Sequence, residues 1–361
     1  MKLNVLILPG DGIGVEVTRE AVRVLRHVAQ QFHHEVDLKE GLLGGNAIHK
    51  TGTPLPDETA LLAGEADATL MGAVGLPEFD NAPPDKRPEK GLLGIRKALG
   101  VYANLRPVRA YASQLDSSPL KNHLVEGTDM IIVRELTGGI YYGTPRGITE
   151  DGAETRAVNT MTYTRSEIER VSRMAFHLAR ARRKKVTSVD KSNVLENSQL
   201  WRRVVVDIAK EFADVELDHL LVDNCAMQLV LNPRRFDIVL TENMFGDILS
   251  DEGAVLAGSI GMLPSASIGA QRPSGAWVGL YEPVHGSAPD IAGQNKANPL
   301  GAIGSVAAML EYSFGLKKEA AAVDSAIEKV LQSGKVTADL RPSGPPATTE
   351  EVGAAVCAAI G

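Results

Sequence analysis

Cysteine is nearly absent from this chain: 361 residues contain Cys225 and Cys357 and no others. Two cysteines build no disulfide framework, which excludes the small secreted scaffolds and fits a reducing compartment. Aromatic residues are scarce at 4%, and basic charge is in deficit, with 38 Lys and Arg against 45 Asp and Glu, a net charge of −7. That balance argues against nucleic acid and anionic membrane as partners. Long apolar runs are missing too. Residues 3–8 stop at Pro9-Gly10, too short for a signal core or a membrane span, so a cytoplasmic protein is expected. There is no internal repeat and no low-complexity segment.

What remains is ordinary globular composition, 44% hydrophobic and 23% charged. At roughly 100–200 residues per domain, two domains are the natural division. Residues 3–8 and 67–71 predict buried strands, residues 129–134 and 186–189 are strand-like, and residues 215–222 and 236–240 predict further strands. Between them lie stripes at helical spacing: Thr18, Ala21, Val22, Leu25, Val28, Ala29 and Phe32; then Ile168, Val171, Ala175 and Leu178; then Trp201, Val204, Val205, Ile208 and Phe212. Residues 92–99 predict a short helix behind a Pro-rich charged loop at 81–88. Ser166 and Glu169 predict a capping box, and Thr348 or Thr349 can cap a final helix. Alternating strands and helices give the α/β class.

Residues 243–252, NMFGDILSDE, put Asp247 and Asp251 four residues apart. Helical side chains at that spacing share one face. Ile248 and Leu249 are expected to point elsewhere and anchor the segment. Hard cations such as Mg²⁺ or Mn²⁺ take carboxylate, water and substrate oxygens, so the pair reads as half a metal site, or else as an exposed acidic face. Asp223, at the end of a predicted strand, can supply a third carboxylate or cap a helix.

Other segments carry chemistry or an ordinary structural role. Gly10, Gly12 and Gly14 follow a strand and precede a helix, but the dinucleotide fingerprint needs glycine where Val15 stands. The fingerprint is rejected, and the glycines are expected to shape a tight turn. Residues 285–293, HGSAPDIAG, let backbone amides approach a nucleotide, and Asp290 can accept from a ribose 2′-hydroxyl; an ordinary surface turn has the same composition. Arg96, Arg106 and Arg134 can grip carboxylates in a bidentate way if the fold gathers them, and otherwise are surface arginines. Lys191 can serve as a base where other cations lower its pKa, or stand solvated after its strand. Tyr141 can donate a proton or fill a core or interface. The basic run RARRKK at 180–185 is read as a solvated helix end, and Cys225 as a small buried residue.

Taken in order, LPGDGIGVEV, RPEKGLLGIRK, NLRP, VRELTGGIYYG, SVDKSNVLE, FGDILSD, EPVHGSAPDIAG and KANP resemble the isocitrate/isopropylmalate family of β-decarboxylating dehydrogenases over essentially the whole chain, and within it the isopropylmalate-oxidising members. The resemblance implies a two-domain α/β fold with a central mixed sheet that is not a true Rossmann fold. It implies a discontinuous cofactor domain (1–101 and 258–361), a central domain with the dimer interface (102–257), and a site in the cleft between them. Asp223, Asp247 and Asp251 match metal-binding acids for Mg²⁺ or Mn²⁺, and Asp223 also faces substrate. Arg96, Arg106 and Arg134 match substrate-carboxylate arginines; Tyr141 and Lys191 match the catalytic pair. Glu89, Leu92, Leu93 and Val194 match the wall around a substrate isopropyl group, in place of the polar groups that hold a third carboxylate. His285, Gly286, Ser287, Ala288, Pro289, Asp290, Ile291 and Asn298 match the cofactor positions, with Asp290 pointing to NAD rather than NADP. The family dimer shares its sites, so Lys191, Val194 and Asp223 would serve the neighbouring subunit. The implied activity is NAD-dependent oxidative decarboxylation of 3-isopropylmalate in leucine biosynthesis. A sibling acting on malate, tartrate or homoisocitrate is the alternative, and a silent nucleotide-binding dimer would require a lesion that the sequence lacks. Cys225 and its neighbours after Asp223, and Glu242-Asn243 before Met244, read as tolerated variation, and the residues around Trp277 suggest a slightly different loop before EPVHG.

Overall fold

The computed structural model describes residues 1–152 and 154–361. The chain divides into two compact units, one of Met1–Val101, Tyr111–Pro119 and Ala257–Gly361, the other of Tyr102–Ala110 and Leu120–Leu256.

The first unit is built on strands β1 (Lys2–Gly10), β2 (Glu35–Glu40), β3 (Ala68–Ala73), β11 (Pro264–Gln271) and β12 (Trp277–Pro283). They lie in the order β2–β1–β3–β12–β11. β1 runs parallel to β2 and β3, β12 parallel to β3, and β11 antiparallel to β12. All of β3 is buried, Thr69 included, as in a strand covered on both faces. The helix Gly14–Gln31 turns Val17, Ala21, Val24, Leu25, Val28 and Ala29 inward, close to the expected stripe. Gly10 (φ 72°) and Gly12 (φ 55°) form the strand–helix turn. A Cβ on Gly10 would lie 1.9 Å from the Ala73 carbonyl oxygen, and one on Gly12 would lie 2.1 Å from that of Ser287. The glycines thus admit the protein's own backbone, as the rejected fingerprint suggested.

The second unit uses β4 (Ala103–Arg109), β5 (Asp129–Glu135), β8 (Lys185–Asp190), β9 (Glu216–Leu221) and β10 (Ile238–Thr241), in the order β4–β5–β10–β8–β9. β5, β10, β8 and β9 are mutually parallel along that order, and β4 is antiparallel to β5. Strands β6 (Gly147–Asp151) and β7 (Glu154–Val158) form a separate antiparallel ribbon. The carboxyl ends of parallel strands open on one edge, where α/β folds place ligands. Here that edge carries Arg134, the start of the Asn243–Leu256 helix after β10, Lys191 after β8 and Asp223 after β9.

Four local expectations are corrected. The capping box belongs to Thr164 and Glu167, not Ser166 and Glu169, and opens the helix Arg165–Arg180. That start puts Tyr163 just before the cap and Ile168 at the fourth helical position, both buried, the arrangement of a hydrophobic staple. Leu249 is buried as expected, but Ile248 is 59% exposed. Of the basic run, Arg182 is no solvated cation: it binds Asp237 (2.8 Å) and Asp129 (2.8 Å), and Arg183 donates to the Phe236 carbonyl. Asp223 does not cap its helix; Leu221 precedes Val222–Leu231, and Asp223 lies in the first turn.

Candidate active site

The carboxyl edge of the second unit's sheet gathers five of the predicted residues: Arg106, Arg134, Tyr141, Asp247 and Asp251. Arg106 on β4 and Arg134 on β5 come from neighbouring strands and are 8% and 4% exposed, so neither is a surface arginine. Asp247 accepts from Arg134 Nη1, and its Oδ1 lies 3.6 Å from Arg106 Nη2. Arg106 Nη1 reaches Asp251 Oδ1 (3.1 Å) and Ser250 Oγ (2.6 Å), while its Nε donates to Asn104 Oδ1 (2.8 Å). The two acids do share one helix face, and the cations that offset their repulsion are these guanidiniums. Tyr141 donates to Asp247 Oδ2 (3.0 Å), with the Arg134 guanidinium 5.9 Å from its ring centroid. Burial, followed by the Asp247 charge, raises the Tyr141 pKa, which keeps the phenol protonated.

Lys191 and Asp223 form a second group on the same strand edge. Lys191 Nζ donates to Asp223 Oδ1 (2.7 Å), and this bond holds the carboxyl below its ordinary range. Lys191 closes its turn through its carbonyl, which accepts from the amides of Val194 and Leu195. The Val194 side chain stands out into solvent. Asp223 is not gathered with Asp247 and Asp251: among the described residues, no three His, Cys, Asp or Glu side chains converge to hold a metal.

The first unit carries the remaining candidates. The helix Pro88–Leu99 places Glu89, Leu92, Leu93 and Arg96 at i, i+3, i+4 and i+7, one face. Glu89 and Leu93 are exposed, and Leu92 packs against the Leu43–Ile95 cluster. Arg96 is nearly buried against Glu282, so it too is no surface arginine. The 285–293 loop is held by Ile13, whose amide donates to the Ser287 carbonyl (2.8 Å). His285 is buried, its Nδ1 2.9 Å from the Gly286 carbonyl, and burial lowers its pKa. Its Nε2 is buried without a partner. Ala288 takes φ 37°, Asp290 faces solvent, and the Ile291 amide donates to the Ala288 carbonyl (3.1 Å). Asn298 accepts from the Leu300 amide (3.0 Å) and donates to Asp339 Oδ2 (3.0 Å).

Several supporting residues were missed from sequence. Asp11, fully buried, accepts from the amides of Gly45, Asn46 and Gly75, each at 2.8 Å, and so ties two loops to the glycine turn. An acid set between glycines after a strand was its available signal. Glu242 and Asn243, read as tolerated variation, are 4% and 1% exposed and hydrogen-bonded into the site. Burial raises the pKa of Glu242 and of its partner Tyr163.

Residues 4–356 match the family described as isocitrate/isopropylmalate dehydrogenase. Proteins named 3-isopropylmalate dehydrogenase from Geobacillus kaustophilus, Priestia megaterium and Bacillus subtilis are 60%, 56% and 55% identical to this chain. The alignments cover 94%, 100% and 99% of it, and 91%, 96% and 98% of those proteins. Among solved structures, the isocitrate dehydrogenase of Methylococcus capsulatus superposes with a TM-score of 0.87 at 34% identity, covering 99% of each chain. The apo β-decarboxylating dehydrogenase of Thermococcus kodakarensis gives 0.80 at 35% identity, covering 99% of this chain and 96% of that one. The protein belongs to the isocitrate/isopropylmalate dehydrogenase family.

Proposed function

We propose that this enzyme oxidises (2R,3S)-3-isopropylmalate with NAD and a divalent cation, releasing CO₂ and 4-methyl-2-oxopentanoate, in leucine biosynthesis. The relatives described above support the reaction class. The observation that carries the reading is the buried Arg106–Arg134 pair beside Tyr141 and the Asp247–Asp251 face, a carboxylate grip next to hard oxygen donors.

The donor sets fit the groups that this chemistry needs. Asp247 and Asp251, 34% and 61% exposed, offer carboxylate oxygens to a hard cation but fall short of a full set. Asp223 of a second copy is assigned the third position. The unpartnered Nε2 of His285 suits a cofactor group, and the exposed Asp290 suits a ribose hydroxyl and disfavours a 2′-phosphate. When bound, the cation would supply Lewis-acid polarisation of the C2 oxygen, and the nicotinamide would supply the hydride acceptor.

The chain's own residues do the rest. Arg96, Arg106 and Arg134 hold the substrate carboxylates and orient the C2–H bond. Lys191 Nζ of the second copy, bound here to Asp223, is assigned the proton of the C2 hydroxyl, which requires that Asp223 turn to the cation and that Nζ first give up a proton of its own to water. When the bond from C3 to the departing carboxylate breaks, the Tyr141 hydroxyl delivers a proton to C3. Leu92 and Leu93 offer apolar surface to a branched alkyl group, and Glu89 on the same face would repel a third carboxylate. Exposed Met227, Leu231, Ile248 and Val255 on two touching helices, together with the β6–β7 ribbon, support a homodimer that shares its sites. No described helix is long and apolar enough to cross a membrane.

The substrate assignment is tested by kcat/KM for 3-isopropylmalate against malate, tartrate, homoisocitrate and isocitrate. The branched acid is expected to lead. Preference for an acid without the branched alkyl group would overturn the assignment.

A further inference from the structure

Behind the active-site edge of the second unit, a chain of polar contacts starts from the buried pair Tyr163 and Glu242, which the mechanism does not use, and ends at Tyr141. Tyr163 donates to Glu242 Oε2 (2.9 Å), and its oxygen accepts from the Asn243 amide (2.9 Å). Glu242 stands just before the Asn243–Leu256 helix, and its Oε1 accepts from the Phe245 amide (2.6 Å), satisfying an otherwise orphaned helix N-terminus. Asn243 carries these contacts forward: its Oδ1 accepts from Arg134 Nε (2.9 Å), and its Nδ2 donates to the Gly138 carbonyl (3.0 Å). Arg134 holds Asp247, Asp247 holds Tyr141, and Tyr141 ends the short turn that begins at Gly139. That turn rests on the first member, because a Cβ on Gly139 would lie 2.4 Å from the Tyr163 hydroxyl.

A Ser, Thr, Asp or Asn at the cap would satisfy the helix end with less buried polarity. Burying a carboxylate and a phenol together is costly unless every group is matched, and a matched network defines one geometry. We infer that Tyr163 and Glu242 are positioning residues for the reaction: they fix the start of the Asp247-bearing helix against the Tyr141 turn, and so set the Tyr141–Asp247 geometry. The inference rests on the function proposed above. It requires that loosening the pair weaken cation binding and turnover together while cofactor affinity stays as it was, because the cofactor residues belong to the other unit.

Tyr163→Phe removes one hydroxyl and keeps the ring, which packs edge-on against Trp201. In the full-length protein it should lower kcat on 3-isopropylmalate, and Mn²⁺ affinity measured by calorimetry, each by about 10–100-fold, with KM for NAD unchanged. Glu242→Gln keeps an acceptor for the Phe245 amide and should lose less of both. Unchanged kcat and Mn²⁺ affinity in Tyr163→Phe, with only a lower melting temperature, would overturn the inference, as would a parallel rise in KM for NAD. Circular dichroism identifies a misfolded variant, in which case the same criteria apply to Glu242→Gln. If the wild type ignored 3-isopropylmalate, the proposed substrate would fail, and the Mn²⁺ titration would still decide whether the pair positions the acids.

Discussion

Replacing Asp247 with asparagine should cost the fold much more than the same change at Asp251, although both belong to one acidic helix face. Asp247 accepts from Arg134 and Tyr141 and lies 3.6 Å from Arg106, and the two arginine side chains are 5% and 10% exposed. Asparagine keeps the shape and one acceptor but removes the charge that two buried guanidiniums face. A charge-assisted hydrogen bond contributes about 1.5–3 kcal/mol against about 1 for a neutral one, and breaking a fully buried pair costs about 3–5 kcal/mol. Asp247 is one-third exposed, and Arg134 and Arg106 keep their bonds to Asn243, Asn104 and Ser250, so the loss should be about 2 kcal/mol. Asp251 is 61% exposed and meets Arg106 at 3.1 Å, a contact that Arg106 can spare, so Asp251→Asn should shift stability by less than about 0.5 kcal/mol. Urea unfolding with chelator present, at one protein concentration, reads the difference. With a slope near 3 kcal/mol per molar, Asp247→Asn should lower the midpoint by about 0.7 M. Both variants should bind Mn²⁺ more weakly. Equal midpoints for the two variants, or a larger loss at Asp251, would refute the claim that Asp247 is the hub.

Further outcomes follow from the same geometry. Lys191→Met should nearly abolish turnover while 3-isopropylmalate still binds in calorimetry; unimpaired turnover would remove Lys191 from proton transfer. Asp290→Arg should narrow or reverse the preference for NAD over NADP in paired kcat/KM measurements, and an unchanged ratio would separate Asp290 from the ribose. Ile248→Glu should shift the protein toward monomer in sedimentation velocity and lower activity with it, whereas a stable, active dimer would move the interface elsewhere.

Part of the strand and helix pattern was legible because it depends on local periodicity: most of the stripe from Thr18 to Ala29, the buried β3 and the Thr348 cap stand where spacing put them. Strands β2, β4, β6, β7, β11 and β12 were not read, β2, β6 and β7 having no buried residue. What failed depends on partners distant in sequence. Arg182 looked like a solvated helix end because Asp129 and Asp237, which it binds, lie 53 and 55 residues away. Arg96, Arg106 and Arg134 looked like surface arginines one at a time, and only strand order brings Arg106 and Arg134 onto one helix face. The capping box slipped by two residues because T-x-x-E and S-x-x-E both occur at 164–169, and the buried Tyr163 and Ile168 decide between them. Glu242 and Asn243 read as tolerated variation because nothing local in the sequence shows that both are buried. The Asp247–Asp251 face was legible as a pair, but its guanidinium partners were not.

The central claim is tested most directly by following nicotinamide reduction and CO₂ release with 3-isopropylmalate, NAD and Mn²⁺. The account predicts that one NADH and one CO₂ form per substrate consumed, that 4-methyl-2-oxopentanoate accumulates, and that chelation stops all three. NADH without CO₂, or full activity after the metal is removed, would contradict it.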